Sequence, residues 1–186
     1  MRAAYADPPY PGQARKHYAN QPLCKEVNHR VLIGYLCSEF DTWALSTSSV
    51  ALQDVLAVCP ANVRVGAWVK PFASFKPGIN PAYAWEPVVM WQGRSLGRDV
   101  PTVRDWVSAN ITLQRGLAGA KPAAFCQWLF QFMGLQLGDE LVDIFPGTGT
   151  VAAQWELYQA GAAGHTQMVL ETAAALEATH AAAGAG

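Results

Sequence analysis

At 186 residues, 51% of them hydrophobic and 15% charged, the chain is too long and too apolar for general disorder and fits one domain with a sizeable core. The formal net charge of −1 hides an asymmetry: residues 1–121 hold all 13 Lys/Arg against 8 Asp/Glu, a net of +5, while residues 122–186 hold none against 6 acids, a net of −6. A basic part of this kind suits a polyanionic partner. No stretch approaches the ~20 apolar residues of a membrane span. Asp7, Pro8 and Pro9 interrupt any apolar core that a signal peptide would need. Cys24, Cys37, Cys59 and Cys126 show no CxxC spacing, so the sequence offers no zinc site and fits a cytoplasmic protein with buried free thiols.

In chain order, Arg2–Ala6 reads as a short buried strand. It runs into Asp7-Pro8-Pro9-Tyr10, a stiff loop, because tandem prolines continue neither a helix nor a central strand. Glu26–Phe40 carries Val27, Val31, Leu32, Tyr35 and Leu36 at close to helical spacing. Thr42–Thr47 reads as a strand and Val50–Val58 as an amphipathic helix stopped by Pro60. Val63–Val69 is a strand, 71–83 a loop rich in Pro, Gly and Ser/Asn, and Pro87–Gln92 a further strand. Ser95–Ala120 is polar and irregular. Pro122–Met133 is a helix with Phe125, Trp128, Leu129, Phe132 and Met133 on one face. Leu141–Phe145 is a strand, Thr150–Gln159 a helix, Met168–Leu170 a short strand and Thr172–Thr179 a last helix. The tail from His180 to Gly186 reads as frayed. Strands alternating with helices give an α/β domain with a mostly parallel sheet over 1–179.

Two stretches carry chemistry. The first is Asp7-Pro8-Pro9-Tyr10, which holds a carboxylate, a carbonyl and an aromatic ring out on a rigid loop. Its bland alternative is a tight turn at a strand end. The second is Asp143-Ile144-Phe145-Pro146-Gly147-Thr148-Gly149-Thr150, in the order strand, glycine-rich turn, helix. Two glycines at a strand's carboxyl end let backbone approach a ligand. No Lys-Ser/Thr follows, so this is no Walker loop, and the third glycine of the dinucleotide fingerprint is missing. Glu171, 22 residues after Gly149, stands where an acid can hydrogen-bond ribose hydroxyls; it can equally be the exposed start of a surface helix.

Together the two stretches resemble the S-adenosylmethionine-dependent amino-methyltransferases, in particular the DNA adenine methyltransferases. Asp7-Pro8-Pro9-Tyr10 matches that family's catalytic motif. Residues 143–150 match its cofactor motif, with Ile144 and Thr148 in place of the usual Pro and Ser. Lys121-Pro122 supplies the Lys-Pro pair that opens the preceding helix. The catalytic motif comes first, a permuted order that resembles the beta group, to which the RNA adenosine (MT-A70-like) methyltransferases are related. The resemblance spans about residues 4–171. It implies a Rossmann-like methyltransferase fold: a mostly parallel sheet with one antiparallel strand and helices on both faces. The short stretch after Glu171 leaves open a missing terminal strand.

The resemblance also implies roles. Asp7 and the Pro8 carbonyl would accept the two hydrogens of an exocyclic amine, Pro9 would stiffen the loop, and Tyr10 would stack on a base flipped out of the duplex. Asp143 would meet the methionine ammonium of S-adenosylmethionine, Phe145 would line the pocket, Gly147 and Gly149 would lie against the cofactor, and Glu171 would hold its ribose. Lys121 would meet the methionine carboxylate or simply start a helix. Arg15, Lys16 and His17 follow the catalytic loop and could grip phosphates. Lys70, Lys76, Arg94, Arg98, Arg104 and Arg115 extend the basic side, and 95–120 would be a short target-recognition segment. No metal is required. The expectation is a site-specific DNA adenine methyltransferase of the restriction–modification or phage kind, acting in the (host) cytoplasm. The alternatives are an RNA adenosine methyltransferase, a non-catalytic nucleic-acid-binding partner subunit, or a small-molecule methyltransferase. An exposed sheet edge makes a homodimer plausible.

Overall fold

The computed structural model describes residues 1–9, 27–71, 78–98, 100–111 and 120–161. Among the described residues, six strands form one sheet: β1 (Arg2–Ala6), β2 (Thr42–Ser46), β3 (Arg64–Val69), β4 (Trp85–Trp91), β5 (Trp106–Ser108) and β6 (Glu140–Asp143). Their order is β5-β3-β4-β2-β1-β6. β1 runs parallel to β2 on one side and to β6 on the other, and β3 runs parallel to β5. β4 alone runs against both of its neighbours. The sheet is therefore mostly parallel with one antiparallel strand, as the resemblance implies.

Side-chain alternation along the central strands separates two cores. Ala3, Tyr5, Ala44, Val88 and Met90 point to one face. There they meet α3 (Ala123–Phe132), through Phe125, Cys126 and Leu129, and the helix at 150–161 (α4), through Val151 and Trp155. Ala4, Ala6, Trp43, Leu45 and Val89 point to the other face. There they meet α1 (His29–Glu39), through Leu32, Ile33 and Leu36, and α2 (Leu52–Leu56), through Val55. Strands buried on both faces favour apolar residues at successive positions, as in Ala3–Ala6 and Trp43–Leu45; the buried Thr42 and Ser46 at the ends of β2 are hydrogen-bonded, to the Trp91 carbonyl and the Tyr5 hydroxyl. α1 starts at His29 because the Asn28 side chain accepts a hydrogen bond from the Val31 N–H, closing the first turn.

Several boundaries differ from those read in the sequence. The expected helix at 50–58 is regular only over Leu52–Leu56; turn structure flanks it, and the Val58 and Cys59 N–H groups bond three residues back. The strand expected from Leu141 begins at Glu140 and ends at Asp143, where the chain bends into the glycine turn. The strand expected from Pro87 begins at Trp85, since Val69 pairs across to it. The segment 95–120 is not wholly irregular: Trp106–Ser108 adds to the sheet edge beside Ala67–Val69. Cys126 is buried, whereas Cys37 and Cys59 are half-buried. No helix among the described residues is long and apolar enough to cross a membrane.

Candidate active site

Alternation carries on past the strand ends and decides what faces what. Asp7 follows Tyr5 by two residues, so it projects to the α3 face at the carboxyl end of β1. Asp143 is in register with Tyr5 on the neighbouring strand and projects to the same face, as does Leu141 two residues before it. The Ile144 N–H donates to the Tyr5 carbonyl at 2.9 Å, which fixes the two strand ends side by side. Pro122, extended, is the N-cap of α3, and Lys121 immediately precedes it. The cleft at this edge is lined by Tyr5, Asp7, Lys121, Asp143 and Phe145, together with Pro146, Gly147 and Thr148 of the turn and the first residues of α4, Thr150 and Val151.

The cleft is built around an ion-paired chain. Lys121 Nζ lies 3.1 Å from Asp7 Oδ2 and also donates to Glu86 Oε1. Glu86 Oε2 in turn accepts from Lys70 Nζ at 2.8 Å. Lys121 and Glu86 are each 6% exposed and Asp7 27%, so the charges are largely out of water but Asp7 still opens to the cleft. Both ammonium groups also lie near the Trp68 ring, Lys70 at 4.3 Å and Lys121 at 5.1 Å from its centroid. Glu86 reaches this place because β4 is antiparallel: its first residues lie at the carboxyl ends of β1 and β2, next to Trp68 on β3.

Burial favours the neutral form of every acid here, and neighbours decide how far. For Glu86, burial is outweighed by Lys121 and Lys70, which hold its pKa at about 2. For Asp7, burial wins against Lys121, so its pKa is raised, with Glu86 pushing the same way. For Asp143, burial raises the pKa to about 6 against a hydrogen bond from the Phe145 backbone, with Asp7 adding repulsion. The Asp143 Oδ1 atom is buried and has no hydrogen-bond partner among the described residues. Tyr5 shares a hydrogen bond with Ser46 Oγ at 2.8 Å, and burial with the nearby acids pushes its phenol well above the usual value.

The glycine turn closes the cleft. Gly147 and Gly149 have φ of 49° and 72°, the left-handed region that other residues adopt at a cost. The Gly149 carbonyl then accepts from the Ala153 N–H, starting α4.

Of the residues singled out in the sequence, Asp7, Lys121, Asp143, Phe145 and Gly147 line one cleft. Pro8, Pro9 and Gly149 adjoin it on the same two loops. Tyr10, Arg15, Lys16, His17 and Glu171 lie outside the described residues, as do the strand expected at 168–170 and the helix at 172–179. Lys121 does more than open a helix: it bridges Asp7 and Glu86. Two cations assigned to the basic side are ion-paired within the fold instead, Lys70 to Glu86 and Arg94 to Asp139 at 2.9 Å. Glu86 is the site residue that the sequence reading missed. A lone acid opening an apolar run (WEPVVMW) was its only signal.

No protein-family model and no curated protein sequence matches the chain. Among solved structures, the chain is similar to one described as the crystal structure of the M1.HpyAVI–SAM complex, with a TM-score of 0.58 and 12% identity over 86% of this chain and 78% of that one. At that identity the likeness is one of architecture: the chain has a Rossmann-like methyltransferase fold.

Proposed function

We propose that the chain is an S-adenosylmethionine-dependent methyltransferase acting on the exocyclic amine of adenine in DNA, with the permuted motif order of the beta group. One observation carries this reading: the loops after β1 and β6, distant in sequence, meet in a single cleft that sets Asp7 beside Asp143 and the glycine turn. The structural neighbour, a complex with SAM, supports the same cofactor. The residues present fit it. Asp143 offers a buried oxygen lacking a partner among the described residues, suited to an ammonium group, and the Gly147–Gly149 turn leaves room for backbone to lie against a ligand. S-adenosylmethionine, when bound, supplies a methyl group activated by the sulfonium it sits on.

The chain's own residues handle the nucleophile. An adenine amine is a poor nucleophile because its lone pair is delocalised into the ring. Asp7 accepts one amine hydrogen and the Pro8 carbonyl the other, which draws the lone pair out of the ring and stabilises the positive charge that develops on nitrogen. The tandem prolines fix both acceptors in advance. As nitrogen gains its new bond it becomes acidic. Asp7, its pKa raised by burial, is suited to take the proton and pass it to solvent at the open side of the cleft. Tyr10 stacking on the flipped base and Arg15, Lys16 and His17 holding phosphates complete the proposed substrate contacts.

The test is transfer of labelled methyl from S-adenosylmethionine to DNA and to RNA, with nucleoside analysis. Labelled 6-methyladenine in DNA is expected, reduced at least ~100-fold in Asp7→Ala while cofactor binding persists. Label in RNA alone would assign the chain to the RNA branch. Absence of both label and cofactor binding would overturn the enzyme reading.

A further inference from the structure

We propose that Glu86 is a positioning residue for methyl transfer, fixing the orientation of the Asp7 carboxylate through Lys121. The proposal rests on the methyltransferase reading of the cleft.

A lysine is a weak orienting group by itself. Its four-carbon stem has many rotamers, and its ammonium behaves as a point charge. Here that freedom is removed. The Lys121 ammonium is clamped between Glu86 Oε1 and Asp7 Oδ2, under the Trp68 and Phe125 rings. Glu86 is itself fixed from its other oxygen by Lys70. With Oδ2 engaged by a fixed donor, the Asp7 carboxylate is held in one plane, and Oδ1 is the oxygen assigned to the substrate amine. Glu86 does not line the cleft, so it acts on a ligand through Lys121 rather than by contact.

Stability gives no sufficient reason for this arrangement. Replacing a buried ion-paired cluster by apolar residues of similar volume is often neutral or stabilising. The surrounding face of the sheet is apolar, with Trp68, Val88 and Phe125 next to the cluster. A carboxylate placed there, held by two lysines and aimed through one of them at the proposed catalytic aspartate, is accounted for by what it does to that aspartate.

Five groups set the charge state of this corner: Lys121 ahead of α3, Glu86 on β4, Lys70 after β3, Tyr5 on β1 and Asp143 on β6. The Glu86 charge opposes ionisation of Asp7. Neutralising it therefore leaves Lys121 worse anchored and Asp7 easier to ionise at the same time. The pH shift alone would follow from a nearby charge; a fall in kcat at nearly constant KM beside it is what a merely structural role would not produce.

The experiment compares wild type, Glu86→Gln and Glu86→Asp in the full chain, reading kcat, KM for S-adenosylmethionine and the pH–rate profile. It also follows the Asp7 carboxyl by carbon NMR titration. Glu86→Gln is expected to lower kcat about 10- to 100-fold, as for a misplaced reacting group, with KM within about 3-fold. Its acid limb is expected to move to lower pH. Glu86→Asp, which keeps the charge but retracts it, is expected to restore the acid limb and recover part of kcat. Wild-type kcat and an unmoved limb in Glu86→Gln would overturn the proposal. So would a raised KM with unchanged kcat, which would give Lys121 to the cofactor instead. If Glu86→Gln does not fold, wild-type kcat in Glu86→Asp would overturn it. If the wild type transfers no methyl to any nucleic acid, the functional reading fails by itself. The Asp7 titration and carbon line width still decide this proposal: a downward shift with exchange broadening of the Asp7 carboxyl in Glu86→Gln, or in Lys70→Met,Glu86→Gln should the single variant not fold, supports it, and an unmoved midpoint, or a shift with the line as sharp as in wild type, overturns it.

Discussion

Asp7 and Asp143 end neighbouring parallel strands on the same face of one sheet, yet the fold equips them differently. Asp7 has a buried ammonium 3.1 Å away, itself anchored by a second acid. Asp143 has a backbone hydrogen bond and one buried oxygen without a partner among the described residues. Burial raises both pKa values, but among the described residues only Asp7 has a cation at contact distance. A carboxylate that must act on a neutral amine needs its charge and orientation fixed before the substrate arrives. A carboxylate that holds a cationic ligand is better left unpaired, because the ligand then brings the missing charge. Under the proposed roles, the contrast is between a carboxylate preorganised for chemistry and one left open to a cationic ligand.

The contrast can be broken most forcefully at Lys121. Lys121→Met leaves Glu86 and Asp7 buried without their shared cation and is expected to cost about 3–5 kcal/mol of stability, read from the denaturant midpoint. A loss under about 1 kcal/mol would mean that the lysine is not what distinguishes the two aspartates. Asp143→Asn tests the other half. It is expected to weaken S-adenosylmethionine binding about 10- to 100-fold in calorimetry. The same change is expected to stabilise the ligand-free protein. Asp143 titrates at about 6 in the fold against an ordinary value of 3.8, so its protonated form favours folding below pH ~4 and that contribution is lost as pH rises through 6. After allowance for solvent screening, Asp143→Asn should gain roughly 1 kcal/mol, or about 2–4 °C in Tm, at pH 8 and nothing below pH ~4. Equal gains at both pH values would show that the carboxylate is not the source. An effect confined to the backbone of the turn is expected for Gly149→Ala. No atom lies within 4 Å of the added Cβ, so only the left-handed backbone, with φ of 72°, resists it. The expected cost is ~1–2 kcal/mol with the Asp7 titration unchanged.

Both loops were legible in the sequence because their chemistry is local. Tandem prolines after an acid, and two glycines between a strand and a helix, state their own geometry. The partners of those loops were not legible. Lys70, Arg94 and Lys121 looked like surface or helix-start cations because their acids lie 16, 45 and 35 residues away. Glu86 acquires its place only from the reversed direction of β4, which puts the start of that strand at the cleft. A sequence pass can say that Pro87–Gln92 is a strand without saying which way it runs. β5 escaped notice because three residues are too few to show alternation, and pairing with Ala67–Val69 alone makes them a strand. The sorting of Tyr5, Asp7 and Asp143 to one face and Ala4 and Ala6 to the other came only with the sheet, because a strand apolar on both faces shows no alternation in its sequence.

The place of β1, between β2 and β6, has a consequence for how the molecule is made. β1 pairs with β2 about 40 residues later, but its other edge waits for β6, with 138 residues between Arg2 and its partner Glu140. At a synthesis rate of about 5–20 residues per second, β1 and β2 leave the ribosome several seconds before β6 does. Through that interval the strand that carries Asp7 presents an unpaired edge, which is a template for wrong pairing as well as right. The two aspartates are therefore brought together by the last large loop to close. A nascent chain halted before residue 140 would hold the proposed catalytic loop without any cofactor site beside it.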